Sequence, residues 1–134
     1  MTINNSSPEE PPGTIRPLVG ITGPCGAGKT TLAQGLQRRG IQARAIAQEH
    51  SYVCDMWQHF TKPVLLVFLQ ASCKVGGERR KLDWTESEWQ EQQRRLEHAR
   101  IHADLFIDTD PLTIEQVLDR VSEFLYKSSL FREY

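Results

Sequence analysis

Short apolar runs alternate with amphipathic stretches along this chain. Leu18-Val19-Gly20-Ile21-Thr22 is apolar and β-branched, the pattern of a buried strand. It runs into Gly23-Pro24-Cys25-Gly26-Ala27-Gly28, a loop by its glycine content. From about Lys29 to Arg39, Leu32, Ala33 and Leu36 share one helical face, and Gly40 stands where a helix C′ glycine belongs. Ile41 to Ala47 predicts a second, weaker strand. The mixed stretch Gln48 to Thr61 carries Tyr52, Trp57 and Phe60 and predicts a loop with a short helix around Cys54 to His59. Pro63 to Leu69 is apolar throughout, as a strand covered on both faces must be.

The second half follows the same logic. Thr85 and Glu88 have capping-box spacing, opening a helix that is expected to run to about His102 with Trp89, Leu96, Ala99 and Ala103 on one face. Leu105-Phe106-Ile107 predicts a fourth strand, and Asp108 to Leu112 a turn. Thr113 and Gln116 cap a last helix whose stripe is Val117, Leu118, Val121, Phe124 and Leu125. Strands alternating with helices imply the α/β class: a three-layer α-β-α sandwich around a mostly parallel sheet of about four to five strands. Ligands of such sheets sit beyond the carboxyl ends of the strands. Gln48-Glu49-His50, Gln70-Ala71-Ser72 and Asp108-Thr109-Asp110 follow three of the strands and the glycine loop follows the first, so all four ends are expected to surround one site.

Composition narrows the class. The 134 residues divide into a polar, proline-rich tail over 1–16, expected to be flexible, one compact domain over 17–127, and a short tail over 128–134. The N-terminal residues have neither the basic nor the apolar region of a secretory signal. The longest apolar run is strand length, far short of the ~20 residues of a membrane span. Cys25, Cys54 and Cys73 form neither a disulfide framework nor a CxxC zinc pattern, which fits free thiols in a reducing cytoplasm. A net charge of -1 argues against a general electrostatic grip on nucleic acid.

The chemistry is concentrated in Gly23-Pro24-Cys25-Gly26-Ala27-Gly28-Lys29-Thr30, which satisfies G-x-x-x-x-G-K-[ST] in full, after a predicted strand and before a predicted helix. Gly26 and Gly28 let the backbone wrap closely, so that successive N–H groups point inward as an anion nest. The helix adds its N-terminal dipole. Lys29 supplies an ammonium for β- and γ-phosphates, the Thr30 hydroxyl is placed to ligate Mg²⁺, and Thr31 can reach the α-phosphate. The expected ligand is Mg²⁺ with ATP or a related nucleotide, GTP included. Cys25 fits the loop as a small filler and is also a candidate redox switch.

On these residues the chain resembles the P-loop kinase group of shikimate, gluconate, adenylate and thymidylate kinases. The likeness rests on Gly20 to Leu32, on Val64 to Arg80, and on Ile107 to Thr113 with Glu115-Gln116-Val117. It implies that Arg79 and Arg80 lie over the nucleotide, one stacked on adenine and another neutralising phosphoryl charge, with Pro111 in the opposite adenine wall. Two departures stand out. The group carries an aspartate at the end of a strand beside the loop strand, whereas the clearest strand here ends in Gln70; Glu49 is the best acidic substitute by position, and Asp55 another. The group also inserts an acceptor-binding lobe, for which only Ile41 to Lys62 is available.

Other polar and aromatic groups carry weaker signals. His98 and His102 have metal spacing on a solvated helix without H-E-x-x-H, which reads as surface. His50 is a candidate anion ligand or general base. Tyr52, Trp57 and Phe60 fit either a core or an acceptor pocket, and Trp84 and Trp89 a helix-start staple. The leading functional reading is an ATP-dependent kinase of a small molecule, with Lys29, Arg79, Arg80 and Glu49 in the catalytic roles. The alternative is a nucleotide-binding or slow NTPase module without phosphotransfer.

Overall fold

The computed structural model describes residues 18–59, 62–80 and 85–128, with the side chain of Arg80 outside that set. Four strands form one parallel sheet: β1 (Val19–Thr22), β2 (Ala43–Ala45), β3 (Leu65–Gln70) and β4 (Leu105–Asp108), in the order β2-β1-β3-β4. β1 pairs with β2 from Val19↔Ala43 and with β3 from Val19↔Leu65, and β3 pairs with β4 from Val67↔Leu105. Five helices connect and cover it: α1 (Lys29–Arg38), α2 (Cys73–Arg80), α3 (Glu86–Arg95), α4 (Glu97–His102) and α5 (Ile114–Lys127). This is the α/β architecture the alternation implied. The proposed tails, 1–16 and all of 128–134 but Ser128, lie outside the described residues.

Burial explains why both faces of the sheet are covered. Leu65 to Leu69 are all buried, so the uninterrupted apolar run of β3 has a partner layer on each side. Val19, Ile21, Leu65, Val67 and Leu69 join Leu32, Leu36, Leu118, Val121 and Leu125 in one core, formed with α1 and α5. Leu66 turns the other way, into a second cluster with Ile46, Trp57 and Ala99. Phe68 stacks on Phe106 of β4 at 5.5 Å between ring centroids. Burying each such side chain is worth about 1.5–3 kcal/mol.

The end signals act as the sequence implied. Gly40, at φ 82°, closes α1: its N–H donates to Gln37 O and that of Ile41 to Leu36 O, the two bonds of a Schellman motif. This use of Ile41 starts β2 late, at Ala43 rather than Ile41. Both capping boxes form, with Thr85 accepting from Glu88 N and Thr113 from Gln116 N. One expectation is corrected. The helix predicted to run from Thr85 to about His102 is two helices meeting at Leu96, a fully buried residue that caps both. At that break the Gln48 side-chain amide donates to Arg95 O at 3.2 Å.

Candidate functional site

The glycine loop between β1 and α1 is built on backbone that side chains would obstruct. Gly23, Gly26 and Gly28 have φ of 148°, 84° and 95°. A Cβ on Gly23 would stand 2.0 Å from Leu69 O, and one on Gly26 would stand 2.3 Å from Gly76 O in α2. The loop is therefore seated against the end of β3 and against α2 by contacts that admit only glycine. Gly28 caps α1 without a side-chain hydrogen bond, and the first turn of α1 holds no acidic residue. No side chain of the first turn itself competes for its N–H groups or for the positive end of the helix dipole, an arrangement that suits phosphate.

Lys29 folds back over this loop. Its ammonium donates to Gly23 O at 2.8 Å, to Pro24 O at 3.1 Å and to Glu49 Oε2 at 2.9 Å. Glu49 comes from the 3-10 turn Gln48–His50 that follows β2, and it is 3% exposed. Its other carboxylate oxygen, Oε1, is buried with no hydrogen-bond partner among the described residues. Cys25, also buried, brings its Sγ to 3.7 Å from Glu49 Oε2 and 3.5 Å from His50 Nε2. Gln92 of α3 fixes the cysteine from both sides: its Oε1 accepts from Cys25 N at 3.0 Å and its Nε2 approaches the sulfur at 3.4 Å.

A cavity of about 770 Å³ opens over these groups. It is lined by the loop and the start of α1 from Cys25 to Leu32, by Glu49 and His50, by Arg79, and by Thr109 and the start of α5. Thr30 and Thr31 both line it, with Thr30 exposed and free to reach a metal ion. Three of the four strand ends meet here as expected. The β3 end does not: Gln70 pairs with Gln93 of α3, with amide contacts of 2.8 and 3.2 Å, and β3 reaches the cavity only through Arg79 on α2.

The other candidates divide. Arg79 bridges the loop and the turn after β4, donating to Gly26 O at 3.3 Å, Thr109 Oγ1 at 2.8 Å and Thr109 O at 2.7 Å. The Arg80 side chain lies outside the described residues, as do Phe60 and Trp84. Leu112, rather than the exposed Pro111, lines the cavity from the turn. Asp55 lies away from the cavity lining, where His59 hydrogen-bonds to its carboxylate and holds its pKa below the ordinary 3.8. Trp57 is core: it packs with Ile46, Leu66 and Ala99 and donates from Nε1 to His98 Nδ1 at 3.1 Å. Tyr52 is exposed beneath the Arg95 guanidinium. Trp89 docks α3 by donating to Ala71 O at 3.0 Å. Cys73, at the start of α2, has its thiol pKa raised by burial and by a hydrogen bond with Glu86.

Gln48 and Thr109 stand in the polar clusters after β2 and β4 that the sequence pointed to, whereas Gln92 and Gln93 are not singled out in it. Gln48 is fully buried and holds the segment after β2: it accepts from Trp57 N at 2.8 Å and donates to Val53 O at 2.8 Å. Gln92 and Gln93 fall at helical spacing between Trp89 and Leu96, on the buried face that exposed Gln90 misses, but as polar residues they do not stand out in an apolar stripe. Thr109 is 1% exposed and ties β4 to β3 through Gln70 O.

Comparison with known proteins agrees with this geometry. No curated protein shows significant similarity to the chain. Among solved structures it is similar to an uncharacterized protein from Eubacterium ventriosum, at 10% identity and a TM-score of 0.51, covering 84% of this chain and 100% of that one. At that identity the likeness speaks for the fold alone. A family model described as AAA domain matches residues 19–127, from the first residue of β1 to the last of α5. Its span takes in the glycine loop, Lys29, Glu49 and the turn after β4, and the chain thereby belongs to the AAA domain family of P-loop, nucleotide-binding proteins.

Proposed function

We propose that this protein binds Mg-ATP in the cavity over the glycine loop and transfers the γ-phosphoryl group to a small-molecule acceptor. The observation that carries the reading is the convergence of an uncapped, acid-free helix N-terminus, the Lys29 ammonium and the buried Glu49 carboxylate on one cavity. The nucleotide phosphates would lie on the N–H groups of the loop and of the first turn of α1, with Lys29 drawn toward them. Thr30 is the residue to hold Mg²⁺, which when bound supplies charge neutralisation at the phosphates. Arg79 lines the same cavity and, by turning from Thr109, would bring its guanidinium to developing phosphoryl charge. Glu49, released from Lys29, would orient the acceptor, or water at the Mg²⁺ that Thr30 would hold. Catalysis by such a site is mostly positioning and electrostatic stabilisation.

The second reading, nucleotide binding without phosphotransfer, is favoured by the stretch between α1 and β3. It holds one three-residue strand and two three-residue 3-10 turns among the described residues, a small base for a second substrate. Calorimetric titration with Mg-ATP and Mg-GTP, beside folded Lys29→Ala and Thr30→Ala, tests the common part. Saturable binding weakened in both variants is expected, and no binding to well-folded native protein overturns both readings. An acceptor screen then separates them. Under phosphotransfer, Glu49→Gln retains nucleotide affinity and loses acceptor-dependent turnover; native protein without any such turnover refutes the kinase reading.

A further inference from the structure

Cys25, Glu49 and His50 bring three different ligand atoms to one wall of the cavity. The separations are 3.7 Å for Sγ to Oε2, 3.5 Å for Sγ to Nε2 and 3.6 Å for Nε2 to Oε2. Tetrahedral Zn²⁺ holds sulfur at about 2.3 Å and nitrogen or oxygen at about 2.0–2.2 Å, which sets neighbouring ligands about 3.3–3.6 Å apart. The observed triangle is close to that size and nearly equilateral, so a point just off its plane lies about 2.2 Å from all three corners and leaves a fourth position open on that side. The three residues come from two segments that the fold fixes independently. Cys25 is locked by the two contacts of Gln92, and Glu49 and His50 are carried by the turn after β2.

A second observation points to a cation. Glu49 is 3% exposed, yet its Oε1 has no hydrogen-bond partner among the described residues. An unsatisfied, buried carboxylate oxygen carries a desolvation cost; the triangle runs through Oε2, so a cation at its centre relieves that cost when Glu49 turns both oxygens to it. Lys29 reaches only Oε2, and it keeps two carbonyl acceptors, Gly23 O and Pro24 O, when that oxygen is taken from it.

We infer that Cys25, Glu49 and His50 form a binding site for a thiophilic divalent cation of the Zn²⁺ class. A thiolate, an imidazole and one carboxylate suit Zn²⁺ and not Mg²⁺, which takes oxygen ligands in octahedral geometry. On binding, the Cys25 S–H bond breaks, the proton leaves to solvent, and the Zn–S bond forms. Because all three residues line the cavity, the fourth coordination position opens into it and takes a water or an anionic oxygen. Glu49 is then held by the metal instead of by Lys29. The site is separate from the Thr30 position and does not depend on phosphotransfer.

The test is titration of untagged full-length protein with ZnCl₂ by calorimetry and with CoCl₂ by absorbance. Expected is one equivalent per chain, a near-ultraviolet thiolate-to-Co²⁺ charge-transfer band, and proton release that varies with buffer. Cys25→Ser, a near-isosteric change, abolishes the band. His50→Gln, at an exposed side chain that folding tolerates, weakens Zn²⁺ at least about tenfold, since even outer partners of metal ligands contribute that much. Cys54→Ser with Cys73→Ser leaves both signals intact. No binding by native protein, or a band that survives Cys25→Ser and vanishes with the other two cysteines, overturns the inference.

Discussion

Replacing Lys29 by methionine keeps the apolar stem of the side chain and removes its charge. In the native protein the Lys29 and Glu49 side chains are 11% and 4% exposed and their charged atoms lie 2.9 Å apart. The substitution strands a carboxylate whose second oxygen already has no partner. Removing one member of a buried pair destabilises by about 3–5 kcal/mol, because the remaining charge stays out of water. Glu49→Gln is gentler, since Lys29 retains the Gly23 and Pro24 carbonyls. In the double variant no charge is stranded, so its loss is smaller than the sum of the two single losses, with a coupling of about 2–3 kcal/mol. Urea unfolding followed by circular dichroism reads this directly. With a slope of about 1.5 kcal/mol per molar, Lys29→Met alone lowers the midpoint by about 2–3 M, and adding Glu49→Gln recovers part of it. Strict additivity of the two changes would refute the reasoning, for it would mean that water or another group already neutralises Glu49.

Two further predictions rest on separate features. Gly26→Ala and Gly28→Ala both place a side chain at positive φ, which disfavours a non-glycine residue by about 1–2 kcal/mol, but only Gly26 also meets backbone, with Gly76 O at 2.3 Å. Gly26→Ala is therefore expected to destabilise clearly more than Gly28→Ala in the same urea assay, and equal losses would show that α2 does not press on the loop. Asp55 has a lowered pKa because His59 hydrogen-bonds to it, so the stabilisation it brings is present above its ordinary pKa and fades as pH falls through the native value. In His59→Ala an NMR titration should find the Asp55 midpoint moved up toward 3.8; an unmoved midpoint rules out His59 as the cause.

The periodicity and the turn residues were enough for the order of the four strands and for the loop, but not for the break between α3 and α4. An apolar run such as Leu65 to Leu69 has only one stable environment, a strand covered on both faces, and both capping boxes act within four residues of chain. Gly26 and Gly28 marked the loop because no other residue adopts their φ without strain, and of the two only Gly26 is also pressed by neighbouring backbone. Such signals are local, and local chemistry is what a sequence displays. What lies across the fold was not displayed. That Glu49, the acid the sequence ranked first, is tied to Lys29, that the β3 end is sealed by Gln70 and Gln93, and that Arg79 spends its guanidinium on Thr109 all depend on pairing elements distant in the chain. Gln92 makes the point most plainly: its side chain meets Cys25 across 67 positions, and in sequence it is one glutamine among several on a polar helix. Periodicity identifies a buried face, but only the packing of α3 against the turn after β2 and against the loop selects which polar side chain is buried there, because that choice is made by partners the helix does not contain.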